Sequence, residues 1–123
     1  MASPDLSTTY NILCDCAAAR SRLTYTELSE AYMKRSGDWH EPHGTWDEPL
    51  GELNRRVHAA GCPAISALVV LKATSQPGGR FWGSAPNVPP RPKNDMARLT
   101  TWQAILKAVH AFPWPATVPS GLQ

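Results

Sequence analysis

The chain has 123 residues, the usual size of one domain, and two independent cores would be unusual at this length. Hydrophobic residues make up 42% and charged residues 18%, a balance that allows a packed core and excludes wholesale disorder. The net charge of +2 is too small to indicate nucleic-acid binding by itself.

Cysteine usage and hydropathy indicate the cellular compartment of the chain. The sequence has three cysteines, Cys14, Cys16 and Cys62, and the N-terminus lacks the basic start and apolar core of a signal peptide. An odd number of cysteines without a signal peptide indicates a reducing compartment. The longest apolar run, residues 67–71, is far too short to span a bilayer. We therefore expect a cytoplasmic protein with no membrane partner.

Apolar residues at three- and four-residue spacing, with matching end signals, predict four helices. They span 4–19, 25–35, 49–60 and 95–111. Ser3 can cap the first helix, and Asn94 can cap the last. Thr24 and Glu27 fit a capping box at the start of the second helix. Asp47 or Glu48 can cap the third.

Between the third and fourth helices the pattern favours a hairpin. Residues 65–72 are rich in β-branched side chains, and 73–79 have turn composition. Residues 80–83 can return as the partner strand. The predicted hairpin over 65–83 would be a wing, followed by a proline-rich crossing segment over 84–93.

The order of these elements predicts a single α+β domain of winged-helix-like type. A helix-turn-helix and a two-stranded wing are closed by the N- and C-terminal helices. The domain is expected over 1–112, with a loose C-terminal tail over 113–123. One core should contain the residues that share the apolar stripes and the central strand: Leu28, Leu53, Val57, Val69, Leu99, Trp102 and Ile105.

Two stretches of this layout resemble known domains. The first contains Leu23-Thr24-Tyr25 and Leu28, followed by Leu50-Gly51. The second contains Pro63, 67–70 (Ala-Leu-Val-Val) and Pro77-Gly78-Gly79 with Phe81. The combination resembles a group of small bacterial and phage domains with a TYxEL…LG…ALVV…PGGxF pattern. The resemblance covers about half of the chain and implies no particular activity.

The layout is also distantly similar to the winged-helix DNA-binding domain of alkyltransferase-like proteins. In that family a Pro-Cys-His-Arg motif holds the reactive cysteine or its replacement. Here the order is Gly61-Cys62-Pro63-Ala64, with no His-Arg after the cysteine. The resemblance therefore implies an architecture and not alkyl transfer.

The third helix carries the candidate DNA-binding residues. In a helix-turn-helix the second helix enters the major groove, where Asn and Arg match adenine and guanine edges. This predicts base contacts from Asn54, Arg55 and Arg56, with Lys72 and Arg80 flanking the wing and reaching phosphates. The alternative is that these residues are solvated charges, and Glu48 and Glu52 on the same helix favour it.

The loop over 38–48 supports a second hypothesis, protein binding. Trp39 and Trp46 lie in this loop, and Trp82 lies in the returning strand of the predicted wing. Tryptophan is enriched at interface hot spots. The alternative is that these side chains only cover the core. His40 and His43 have metal-ligand spacing but no convincing further ligands, so we expect no metal.

Catalytic signatures are missing from the sequence. It has no glycine-rich phosphate loop and no Gly-x-Ser-x-Gly motif. Cys62 follows a helix C-terminus, whose negative dipole end would raise the thiol pKa.

We therefore expect a protein that is not an enzyme and needs no cofactor. The first function hypothesis is a module for double-stranded DNA, for instance in a small regulator or phage accessory protein. The second is a protein-binding adaptor or inhibitor, for example a phage counter-defence protein. The oligomeric state cannot be derived from the sequence.

Overall fold

The computed structural model describes residues 3–120, which form a small α+β fold. The helices are α1 (Leu6–Ala18), α2 (Tyr25–Ser36), α3 (Asp47–Ala59) and α4 (Asp95–Ala111). The strands are β1 (Leu23–Thr24) and β2 (Val69–Val70). Short 3₁₀ turns occupy Ile65–Leu68 and Gly79–Phe81. All four predicted helices are present within three residues of their expected ends.

Local signals explain most helix ends. The capping box of α2 is complete, because the Thr24 side chain accepts from the Glu27 amide and the Glu27 side chain accepts from the Thr24 amide. Asn94 caps α4 as predicted. The N-cap of α1 is Asp5, which accepts from the Thr8 amide, so the expectation of Ser3 was wrong by two residues.

The start of α3 differs from the prediction. The helix begins at Asp47, two residues before Pro49, and its N-cap is Trp46, which makes no side-chain capping bond. Asp47 and Glu48 therefore lie in the first turn and favour the helix through its positive dipole end. Burial of the Trp46 side chain, which is fully enclosed, stabilises the start of α3.

The predicted hairpin over 65–83 is not formed. β2 pairs with β1, in parallel, with Leu23 opposite Val69 and Thr24 opposite Val70. Of the expected partner strand over 80–83, the first two residues belong to the 3₁₀ turn Gly79–Phe81, and none is in a strand. Both residues of β2 are buried, which is typical of a strand covered on two faces. The partner of β2 is the extended segment just before α2, which is distant from β2 in the sequence.

The predicted core residues lie together. Leu28, Leu53, Val57, Val69 and Trp102 are buried in one cluster, and Leu99 and Ile105 are partly buried against it. Inside this cluster the indole nitrogen of Trp102 donates to the Ala67 carbonyl at 2.9 Å. The helical stripes therefore identified the core.

The segment predicted as a loose tail packs on the domain as far as Val118. The Tyr10 hydroxyl donates to the Pro115 carbonyl at 2.7 Å, and the Trp114 indole donates to the Val109 carbonyl at 2.9 Å. Aromatic packing and these two bonds fix the chain after α4. Residues 1 and 2 of the predicted domain, and 121–123 of the predicted tail, lie outside the described residues.

Candidate nucleic-acid interface

The exposed side of α3 carries cations that are already engaged. Arg55 Nη2 lies 2.9 Å from one Glu52 oxygen and 3.3 Å from Glu48 Oε1. Arg56 Nε lies 3.1 Å from the other Glu52 oxygen. These bonds lower the pKa of the Glu52 carboxyl, with the Arg55 hydrogen bond as the largest cause. The helix surface is thus close to neutral where the sequence shows two adjacent arginines.

Asn54 does not face solvent, so its predicted contact with a base edge is wrong. The residue is fully buried. Its Nδ2 lies 2.6 Å from Ser66 Oγ and 3.2 Å from Ser84 Oγ, and its Oδ1 accepts from the Ser66 amide at 3.1 Å. Asn54 therefore ties α3 to the chain on either side of β2 and is unavailable to a ligand.

Lys72 and Arg80 line one cleft, with a volume of about 190 Å³. Both residues are exposed, and neither forms an ion pair within residues 3–120. The other walls come from the start of α2, from residues 42–44 and from Asp47. Lys72 and Arg80 thus share a concave surface with one carboxylate, that of Asp47.

Two residues that line this cleft, Tyr25 and Gly78, lie close together. Burial raises the pKa of the Tyr25 hydroxyl, which also accepts a hydrogen bond from the Gly78 backbone amide. A side chain at Gly78 would approach that hydroxyl to 3.2 Å, so glycine allows the chain to cross closely over Tyr25. This contact holds the segment that carries Arg80 against the first turn of α2.

Arg55 and Arg80 lie on the rim of a second, shallower cavity. It shares Gly44, Asp47 and Arg80 with the first cleft, so the two are continuous. The structure therefore brings together three of the five predicted nucleic-acid residues: Arg55, Lys72 and Arg80. Arg56 lines neither cavity, and Asn54 lies beneath the surface.

The three predicted protein-contact tryptophans do not form one surface. Trp46 is buried and its indole nitrogen donates to Ser29 Oγ at 2.8 Å, so its assignment to a binding surface was wrong. Trp39 is 43% exposed and lines a cavity with Glu41 and Glu48. Trp82 is half-buried and lines a different cavity.

The histidines of the same loop have different surroundings. The His40 ring packs edge-on against Tyr32 and Trp46, with centroids 5.1 and 6.0 Å away, whereas His43 is exposed at the mouth of the cleft. Over residues 3–120 no group of three His, Cys, Asp or Glu side chains is arranged to hold a metal ion.

The cysteines are poor nucleophiles. Cys16 and Cys62 are buried and Cys14 is half-buried, and all three thiols are free. Burial raises the pKa of Cys62 and Cys14, and it raises the pKa of Cys16 to about 11. Because the thiolate is the reactive form, these thiols are inert at neutral pH. For Cys62 burial raises the pKa, in the direction that the sequence predicted from the helix C-terminus.

Sequence reasoning missed Tyr25, Asp47 and Arg91 as residues that line these cavities. Arg91 carried a signal, because it is one of two cations, with Lys93, in a proline-rich segment that cannot form a helix. Tyr25 and Asp47 are first-turn residues of α2 and α3, and only the packing of the two helices brings them together.

Comparisons with protein-family models, curated proteins and solved structures give no match. The resemblance drawn from the sequence pattern therefore stays a prediction. Among the described helices, none combines the length and the apolar character that a bilayer span requires.

Proposed function

We propose that the protein is a non-catalytic module for double-stranded DNA, with a winged-helix-like arrangement of α2, α3 and the segment after β2. The observation that carries the proposal is that Lys72 and Arg80 line one cleft, both exposed and both without an ion pair among residues 3–120. The turn over 71–80 takes the place of the wing. Arg55 extends the cationic surface to α3.

The division between paired and unpaired cations supports phosphate contacts. A solvated Lys or Arg that approaches DNA releases condensed counterions and gains affinity without first breaking an internal ion pair. Arg55 must share its guanidinium with Glu48 and Glu52, so its contribution is smaller. The proposal accordingly assigns the larger share of the affinity to Lys72 and Arg80.

The modest net charge fits a limited set of contacts. Two or three phosphate contacts release only a few condensed counterions. Binding at physiological salt is therefore weak. We expect no strong sequence preference from α3, because the buried Asn54 cannot read a base and Arg55 is engaged.

The test is fluorescence anisotropy with a labelled blunt duplex at several salt concentrations. Lys72→Ala and Arg80→Ala should each lower the salt slope by about one unit. Lys107→Ala is the matched control, because it removes the same charge from an exposed position on α4 that lines neither cavity. Absence of duplex binding at low salt, or equal effects of all three variants, would refute the proposal.

A second candidate function, protein binding, is favoured by the surroundings of Trp39. This side chain lines a cavity of about 390 Å³ with Pro4, His40 and Pro49, beside the carboxylates of Glu41 and Glu48. Glu48 is paired with Arg55, and Glu41 accepts a hydrogen bond from the Trp39 indole, so the exposed apolar surface of Trp39 is the main feature that suits a peptide partner. If a protein is the partner, Trp39→Ala should cost more than about 2 kcal/mol of binding free energy, measured by calorimetry, while Lys72→Ala costs little.

A further inference from the structure

Another cavity, the one that Trp82 lines, adjoins the cleft of Lys72 and Arg80. It has a volume of about 350 Å³, and it shares Leu71 and Gly79 with the cleft of Lys72 and Arg80. The shared residues make the two cavities neighbours on the surface. Trp82 and Arg91 line only the second of them. We call these two cavities together the long groove.

The long groove combines cations with apolar surface. Lys72 and Arg80 line its first part and Arg91 lines its second part; all three are exposed and without an ion pair in the described chain. The lining also includes two apolar side chains, Leu71, which is 40% exposed, and Trp82, which is half-buried. The groove's other arginine, Arg98, is neutralised by its ion pair with Asp95.

This combination fits single-stranded nucleic acid better than a duplex. Single strands are bound by a positive groove that follows the backbone, with aromatic side chains on which bases stack. In duplex DNA the bases are already stacked on each other, so Trp82 would add nothing there. The Trp82 ring is held in place by an edge-on contact with Phe81, whose ring centroid lies 5.1 Å away.

We propose that the second part of the long groove binds a single-stranded DNA extension next to the duplex held by Lys72 and Arg80. Trp82 stacks on an unpaired base, and Arg91 contacts the backbone of the same strand. The inference rests on the proposed DNA function and names the form of DNA that the protein prefers, a junction between duplex and single strand.

Gly79 gives a way to perturb both cavities. A side chain built at this position meets no atom within 4 Å, and its backbone is not in the left-handed region. Gly79→Leu should therefore fold and place a bulky group beside both parts of the groove. This change adds bulk at a residue that lines both cavities.

The experiment compares a blunt duplex with the same duplex carrying a single-stranded overhang of about six nucleotides, by fluorescence anisotropy at low salt. The wild-type protein should bind the overhang substrate at least about fivefold more tightly, the gain from stacking one base. Trp82→Ala should abolish this gain without changing affinity for the blunt duplex. Gly79 also lines the cleft of Lys72 and Arg80, so Gly79→Leu is judged by the ratio of the two affinities, which should fall to the ratio of the Trp82→Ala variant. Trp82→Phe should retain most of the gain, since it keeps an aromatic face.

Two further variants separate the explanations. Arg91→Ala should reduce the salt slope for the overhang substrate only, and Lys107→Ala should change neither substrate. Equal affinity of the wild-type protein for the two substrates would overturn this inference and leave the proposed function standing. Failure to bind either substrate would overturn both. Circular dichroism confirms that each variant is folded, so that a loss of binding is a loss of contact.

Discussion

Two polar groups on neighbouring parts of the molecule have opposite roles. The inner group, Asn54 with Ser66 and Ser84, is enclosed and satisfies its own hydrogen bonds. The outer group, Lys72 and Arg80, lies at the surface without internal ion pairs among the described residues. The comparison teaches that availability for a ligand depends on what a side chain already contacts. The inner group positions the segment on which the outer group stands.

The largest effect should come from breaking the inner group. Asn54→Ala removes three hydrogen bonds and leaves the buried Ser66 amide and hydroxyl short of partners. We expect a loss of about 2–4 kcal/mol in the free energy of unfolding, because unsatisfied buried groups add their desolvation penalty to a cavity. Urea titration measures the loss. A change below about 0.5 kcal/mol would show that Asn54 is not a structural tie.

A single part-buried hydrogen bond, between α1 and the segment after α4, provides a reference for the size of this effect. Tyr10→Phe removes the bond from the Tyr10 hydroxyl to the Pro115 carbonyl and keeps the ring. The cost should be about 1 kcal/mol, because only one bond is lost and the freed carbonyl lies near solvent. The same urea titration should rank Tyr10→Phe clearly below Asn54→Ala. The reverse order would mean that the packed segment after α4 matters more than the tie at Asn54.

Smaller still is the effect of the paired arginine on α3. Arg55→Ala removes exposed ion pairs with Glu48 and Glu52, and exposed helix pairs are worth about 0.3–0.5 kcal/mol. In the DNA assay Arg55→Ala should lower the salt slope less than Arg80→Ala does. An equal effect of the two variants would erase the distinction between paired and unpaired cations on which the proposed function depends.

The sequence could predict the helices, because their signals are local. Stripes at three- and four-residue spacing, the Thr24–Glu27 capping box and the Asn94 cap depend only on neighbours within one turn. The pairing of β1 with β2 could not be predicted in this way. It joins residues 23–24 to 69–70, and a two-residue strand has no periodicity to reveal its partner. A nearby hairpin was therefore the wrong expectation.

The candidate site was predictable only in part, for a related reason. Residue type identifies Arg55, Lys72 and Arg80 as cations, but not which of them is neutralised by a neighbour. Asn54 and Arg55 are adjacent in sequence, yet a helix turns by about 100° per residue, so one is buried and the other exposed. The spacing of apolar residues along a helix predicts which face is buried. It does not predict that Ser66 and Ser84, which lie outside α3, supply the hydrogen bonds that allow Asn54 to be buried there.

The smallest expected effect is a pH dependence of the α3 ion pairs. Hydrogen bonds from Arg55 and Arg56 depress the pKa of Glu52 in the folded state. A depressed carboxyl pKa contributes stability that is present above the unfolded-state pKa of about 4.3 and is lost as pH falls through the folded value. With its side chain 37% exposed, Glu52 is screened by solvent, so the contribution stays below about 0.5 kcal/mol.

The measurement compares Glu52→Gln with the wild-type protein by urea titration between pH 7 and pH 3. The difference in the free energy of unfolding should be small at pH 7 and should vanish at the acidic end, where the wild-type carboxyl is also neutral. At pH 7 the same variant frees Arg55 and Arg56 from a carboxylate, so duplex affinity at low salt should rise slightly. A fall in affinity would show that the ion pairs orient the arginines toward DNA, and that paired and unpaired cations act together.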